Sequence, residues 1–227
     1  SVGDTGEPFR PGLPLPAARE LPVLCHPALA ADQEAECDVV VVGSGAGGAT
    51  VARELAEAGL DVAIVEEGGP VDRADFAASA FERTVKYYRS NGLTATLGSA
   101  PIPVPMGCVV GGTTVVNSGT LLRPPDDVLD GWAREHGVEL AAPERMGPQF
   151  DALAEQLHVG PVSDAVMGRN GELVRLGAER LGLCAHHPIP RPTRDCAGIG
   201  QCAFGCPRDA KQAMHLSHLP AAVERGA

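Results

Sequence analysis

The chain has 227 residues and a net charge of −11, with 44% hydrophobic and 21% charged residues. At a prior of ~150 residues per domain this is one domain or one and a half, long enough for a core of its own. Eighteen basic residues face 29 acidic ones, only Lys86 and Lys211 are lysines, and no basic cluster appears, which argues against a nucleic acid as partner. No apolar run approaches the ~18 residues that a membrane span needs, so no transmembrane segment is expected. The chain opens on Ser1, with no basic segment leading into an apolar one. The sequence leaves the location open, the cytoplasm slightly favoured over the periplasm, which applies if a leader has been removed.

Residues 1–36 carry Pro8, Pro11, Pro14, Pro16, Pro22 and Pro27 without a sustained period and read as an extended arm. Cys37-Asp38-Val39-Val40-Val41-Val42 then reads as a β-branched run, as in a strand buried on both faces of a parallel sheet. A glycine-rich turn over 43–48 follows. Ala49, Ala52, Leu55 and Ala56 then recur at helical spacing, closed by Gly59. Asp61 to Val65 reads as a second strand, completing a βαβ unit.

Further along, Phe76 to Tyr88 is expected to be helical, and Asn91 to Pro105 loop. Helices are expected at Asp127 to His136 and Pro148 to Leu157. An amphipathic helix over Asn170 to Leu181, with Leu173, Leu176 and Leu181 on one face, stops at Gly182. Cys196 to Pro207 reads as an irregular loop, and Ala213 to Arg225 as a helix that Pro220 can break.

Gly43-x-Gly45-x-x-Gly48 between strand and helix has the context of a dinucleotide loop. Gly43 takes the tight turn, Gly45 lets a pyrophosphate approach the backbone, and Gly48 lets the helix lie against the sheet. The helix N-terminus offers free N–H groups to phosphates. Glu66 ends the second strand, where a carboxylate can accept hydrogen bonds from ribose hydroxyls. Its place directly after the strand favours it over Glu67. NAD and FAD present the same ADP half to such a loop, and the acid disfavours a 2′-phosphate.

A second glycine-rich stretch runs Gly107-Cys108-Val109-Val110-Gly111-Gly112-Thr113-Thr114-Val115-Val116-Asn117, followed by Pro124 and Asp130-Gly131-Trp132. It resembles the first motif of the glucose–methanol–choline (GMC) flavin oxidoreductases, and the resemblance runs from Asp38 to Ala227. Cys108 and Leu121 depart from it, standing where a basic residue or Asn, and an aromatic or Ala, are usual. The resemblance implies a Rossmann-like α/β FAD-binding domain with a parallel sheet over 37–227, incomplete because the chain is the N-terminal part of a longer enzyme. It implies FAD contacts at Gly43, Gly45, Ala46, Gly47, Gly48 and Glu66, and again at Gly111, Gly112, Thr113, Asn117, Ser118, Gly119 and Thr120.

Seven cysteines are present, three of them bunched as Cys196-x5-Cys202-x3-Cys206-Pro207. That stretch resembles the branch of the family that includes long-chain alcohol oxidases. The three-cysteine spacing also resembles the large subunits of bacterial gluconate and fructose dehydrogenases. The second resemblance implies thiolate ligands to a [3Fe–4S] cluster and an electron-acceptor subunit. Buried thiols, a disulfide and a zinc site are the alternatives.

The family reaction that the resemblance implies is hydride transfer from the CH–OH carbon of an alcohol or polyol to flavin N5, with a histidine near the end of the full-length enzyme as base. None of His26, His136, His158, His186, His187, His215 and His218 lies in a segment resembling that one. No catalytic residue is therefore expected here, the family histidine being expected beyond residue 227, and the fragment alone is expected to be inactive. A nicotinamide-dependent dehydrogenase and a non-catalytic iron–sulfur electron-transfer module are the competing readings.

Overall fold

In a computed structural model, residues 21–22 and 34–227 are described, so most of the expected arm lies outside the described residues. The chain divides into two compact units, one built on 34–118 with Gly200–Ala227 and the other on Gly119–Ile199. Each is taken by itself.

The first unit holds the βαβ core. Strands β1 (Val39–Val42) and β2 (Val62–Val65) pair in parallel, Val39 opposite Val62 and Val42 opposite Val65. Helix α1 (Ala46–Glu57) connects them and buries Ala49, Ala52 and Ala56. These alanines pack with Val41, Val62 and Ala222, the last from α7 (His218–Val223). Small side chains bring the helix axis close to the sheet, so the dispersion contacts that hold this core run between backbones as much as side chains.

The expectation of burial on both faces of β1 is corrected. Val41 is 8% exposed, whereas Val40 is 56% and Val42 84% exposed. A strand alternates its side chains, and among the described residues α1 and α7 cover one face of this two-stranded sheet.

The second core of this unit gathers Phe76, Tyr87, Val109, Val115, Val116 and Ala213. The expected helix over 76–88 is two elements, a 3₁₀ turn at Arg73–Ala77 and α2 (Ala80–Tyr87). They part at Ser79, whose hydroxyl accepts from the Glu82 N–H while the Glu82 carboxylate accepts from Ser79. This capping box is written in Ser79-x-x-Glu82. Within the expected loop over 91–105, backbone hydrogen bonds from Thr96 to Ile102 and from Val104 to Thr94 form a short hairpin. Helix α3 (Thr113–Val116) is a single turn inside the second glycine-rich stretch. Only the end of the expected C-terminal helix forms, as α7, because Ser217 leaves helical geometry at φ −118° and ψ −80°.

The other unit contains α4 (Asp126–Glu135), α5 (Pro143–Gln156), α6 (Asp164–Arg180) and a two-residue antiparallel pair of strands, β3 (Val159–Gly160) and β4 (Arg191–Pro192). Helix α5 begins at Pro143, five residues before its expected start, and carries Pro148 inside. Pro143 at the first turn loses no intrahelical bond, whereas Pro148 leaves one carbonyl without its N–H partner. Helix α6 starts earlier than its leucines suggest and is kinked at Gly168 (φ +74°). Leu173 and Leu181 on its expected buried face are exposed. Leu129, Ala141, Leu157 and Ala197 are buried apolar side chains here.

Ala52, fully buried between α1 and the sheet, has no room for a larger group. Ala52→Leu is expected to destabilise the first unit by about 1–3 kcal/mol through overpacking. Chemical denaturation followed by circular dichroism measures this, and a neutral result would contradict the close helix–sheet approach.

Candidate cofactor site

The first glycine loop is built as its spacing requires. Gly43 sits at φ +94°, and its N–H donates to the Val65 carbonyl at 2.7 Å, joining the ends of β1 and β2. A Cβ on Gly48 would lie 1.8 Å from the Gly43 carbonyl oxygen, so no side chain fits there. A Cβ on Gly47 would meet nothing within 4 Å, and Ala46 and Gly47 are exposed. Gly45 caps α1 without any side-chain hydrogen bond, and the first turn has no acidic residue. The first turn of α1 is thus exposed, and its N-cap side offers no side-chain acceptor to its N–H groups, which suits an anionic diphosphate.

The second loop abuts the first. A Cβ on Gly112 would stand 2.8 Å from the Gly45 Cα, and one on Gly107 would stand 2.8 Å from the Gly112 carbonyl carbon. Gly111 and Gly112 take φ +96° and +57°, values that disfavour any other residue. The Gly107 N–H donates to the Thr113 hydroxyl at 3.0 Å, so that side chain closes its own loop. Thr114 donates to the Gly111 carbonyl at 2.6 Å and accepts from the Met214 N–H at 3.0 Å. Thr113, Asn117 and Ser118 are exposed, while Gly119 and Thr120 belong to the other unit.

The joint between the loops is Ser44, a residue the glycine spacing treats as variable. It is 2% exposed. Its N–H and its hydroxyl donate to Glu66 Oε2 at 2.8 and 2.7 Å, and the hydroxyl accepts from the Gly111 N–H at 2.9 Å. Glu66 Oε1 accepts from the Gly68 N–H at 2.9 Å. One carboxylate thus ties the first loop, the end of β2 and, through Ser44, the second loop. Three of its roughly four acceptor positions are taken, which leaves one for a ribose hydroxyl. Glu67 is exposed and paired with Arg89, so the two acids separate in role as their positions after β2 suggest. Cys108, which replaces a usual basic residue, keeps a neutral thiol. Burial raises its pKa, Glu67 adds to this, and Arg89 opposes it.

Beneath these loops lie two further side chains that the sequence reading left aside. Lys211 is 3% exposed, and its ammonium donates to the carbonyls of Val115, Asn117 and Cys202 at 2.7–2.8 Å. His215 lies against Gly111, its backbone N 3.1 Å from where a Gly111 Cβ would be, and its Nδ1 is enclosed without a hydrogen-bond partner. Burial lowers its pKa to about 4, with Asp209 opposing and Lys211 reinforcing.

The cluster expectation for the cysteine triplet finds no support. Cys196 falls in one unit, Cys202 and Cys206 in the other. Among the described residues no group of three or more His, Cys, Asp or Glu is arranged to hold a metal ion. The segment works through its backbone instead. The carbonyls of Cys202, Ala203 and Phe204 face Lys211, the Tyr88 hydroxyl and Arg83. Gly205 sits at φ +92°, where a Cβ would lie 2.2 Å from the Phe76 ring.

Two predictions follow from this geometry. Ser44→Ala removes the hydroxyl between Glu66 and Gly111 and leaves a buried N–H without its partner. It should cost about 1–3 kcal/mol and weaken cofactor retention, read by denaturant titration and by flavin content after gel filtration. His215 is neutral when folded, whereas in the unfolded chain its pKa is near 6.5. Its contribution is therefore complete above pH about 6.5 and lost as pH falls towards about 4. Melting temperatures across that range should fall more steeply for the wild type than for His215→Gln, and parallel slopes would refute the assignment.

Comparison with known proteins bears on the same residues. Residues 85–227 match the GMC oxidoreductase family model, and 38–85 match an FAD binding domain. An uncharacterized GMC-type oxidoreductase of Mycobacterium tuberculosis (strain ATCC 25618 / H37Rv) is 48% identical over 84% of this chain and 30% of its own length. A long-chain-alcohol oxidase of Arabidopsis thaliana is 32% identical over 84% of this chain and 25% of its own. A cholesterol oxidase of Acinetobacter baumannii is 26% identical over 84% of this chain and 39% of its own. The chain thus spans between a quarter and two fifths of these relatives. With the βαβ core and two abutting glycine loops, these matches identify the chain as a member of the GMC oxidoreductase family, carrying its Rossmann-like FAD-binding fold.

Proposed function

We propose that this chain is the N-terminal, FAD-holding part of an enzyme that oxidises the CH–OH group of an alcohol. The observation that carries the reading is the contact of the two glycine loops at Gly45 and Gly112, locked by Ser44 and Glu66. A dinucleotide loop alone serves NAD as well as FAD. A second side-chain-poor backbone against the first favours a longer cofactor with a flavin beyond the pyrophosphate.

Bound FAD supplies the hydride acceptor, flavin N5. In this reading Gly43, Gly45, Ala46, Gly47 and Gly48 cradle the pyrophosphate through backbone N–H groups and the positive end of α1. Glu66 offers its remaining acceptor position to the adenosine ribose. Gly111, Gly112, Thr113, Asn117 and Ser118 lie along the next part of the cofactor, where backbone N–H groups stabilise charge. The reading assigns removal of the hydroxyl proton to no residue of this chain, and the piece alone is expected to be inactive. The relatives named for long-chain alcohols and cholesterol favour a substrate with a large apolar body. An iron–sulfur cluster and an electron-acceptor subunit are left out, because both rested on the cysteine triplet.

The test is anaerobic titration of the full-length protein with a long-chain primary alcohol, a sterol and a polyol. Oxidised-flavin absorbance should be present at the start and bleach with an apolar alcohol. Glu66→Ala should lower retained FAD at least ~10-fold, as loss of a charge-assisted contact implies. A flavin that none of the three alcohols reduces would rule out alcohol oxidation. Protein purified without flavin would rule out the whole reading.

A further inference from the structure

The exposed Asn117 stands over a buried cation. Lys211 Nζ lies 2.8 Å from the Val115 and Asn117 carbonyls and 2.7 Å from the Cys202 carbonyl. These three short bonds share the three protons of the ammonium group with a fourth, longer one. A fourth oxygen, Asn117 Oδ1, lies 3.4 Å away. Burying an ammonium is costly unless it is fully hydrogen-bonded, and here the carbonyls of Val115 in α3, of its C-cap Asn117 and of Cys202 meet that need. The cation also fixes the Asn117 amide. An ammonium has no acceptor, so it holds the amide oxygen towards itself and repels the amide NH2, which must then point elsewhere.

From this arrangement we infer that Lys211 is the positioning residue of the second glycine loop: its buried ammonium sets the backbone and the amide orientation of Asn117, so that Asn117 presents donors rather than its oxygen to the FAD. The inference rests on the FAD reading above. Lys211 also joins the loop to the segment after Cys202, and this explains that segment's place in the fold without any use of its thiolates. Tyr88 provides an internal comparison. Its hydroxyl lies 2.7 Å from the Val116 carbonyl and 2.5 Å from that of Ala203. It bridges the same two segments through the carbonyl of Val116.

The experiment is a double-mutant cycle on the full-length protein with Lys211→Met and Asn117→Ala, with Tyr88→Phe alongside. FAD affinity is read from flavin fluorescence and folding from the melting temperature of the apoprotein. Lys211→Met should weaken FAD binding by ~10-fold or more, the scale of one charged hydrogen bond. Adding it to Asn117→Ala should cost little further, because both remove one device. Tyr88→Phe should lower the melting temperature and leave FAD affinity within about twofold. If Lys211→Met does not fold, Lys211→Gln takes its place in the cycle. Unchanged affinity in the lysine variant, independent multiplication of the two effects, or an equal loss in Tyr88→Phe would each overturn the inference. Wild-type protein without flavin would instead overturn the reading beneath it.

Discussion

The structure of the first unit depends on one carboxylate. Glu66, at the end of β2, accepts from the N–H and hydroxyl of Ser44 and from the N–H of Gly68. Ser44 in turn accepts from Gly111. Glycine-rich loops lose much conformational entropy on ordering, and few side chains of their own, Ser44 in the first and Thr113 and Thr114 in the second, are there to hold them. A half-buried anion at the point where they meet supplies charge-assisted bonds that a neutral residue would make more weakly. The open N-terminus of α1 and the exposed face of the second loop follow from that joint.

The second loop is held from below by cations and a phenol rather than by apolar packing alone. Lys211 and Tyr88 reach carbonyls on both sides, from Val115 to Asn117 and from Cys202 to Ala203. Arg83, 3% exposed, adds the Phe204 carbonyl and the Gln201 side chain. Irregular backbone close to a core carries polar groups that need partners. Here long side chains from elsewhere satisfy them, and the loops stay narrow enough for a cofactor to approach the backbone. Where the sequence suggests thiolate chemistry around Cys202 and Cys206, the fold uses carbonyls.

Much of the site was legible in the residues. Glycine is demanded at 43 by a left-handed backbone and at 48 by the absence of space, so these positions announce themselves. Glu66 was legible from its place after an apolar run, and the second loop from its resemblance to the GMC motif. Ser44, Lys211 and His215 were not, because each acts through a partner distant along the chain, such as Gly111 or Val115. Ser79 was legible and missed, since its signal, Ser-x-x-Glu, sits inside a stretch read as one helix. The leucines of α6 mislead for another reason. Period alone does not say whether anything covers the face, and Leu173 and Leu181 are exposed.

By itself the sequence determined the βαβ unit, the first glycine turn and the acid at the strand end, because turn geometry, helical period and backbone clearance act over a few residues. Only the tertiary structure decided that the cradles touch, that Ser44 joins them, and that a buried lysine stands behind Asn117. Those outcomes depend on contacts between segments from 22 to 96 residues apart, and no local pattern encodes which distant carbonyl a long side chain will find.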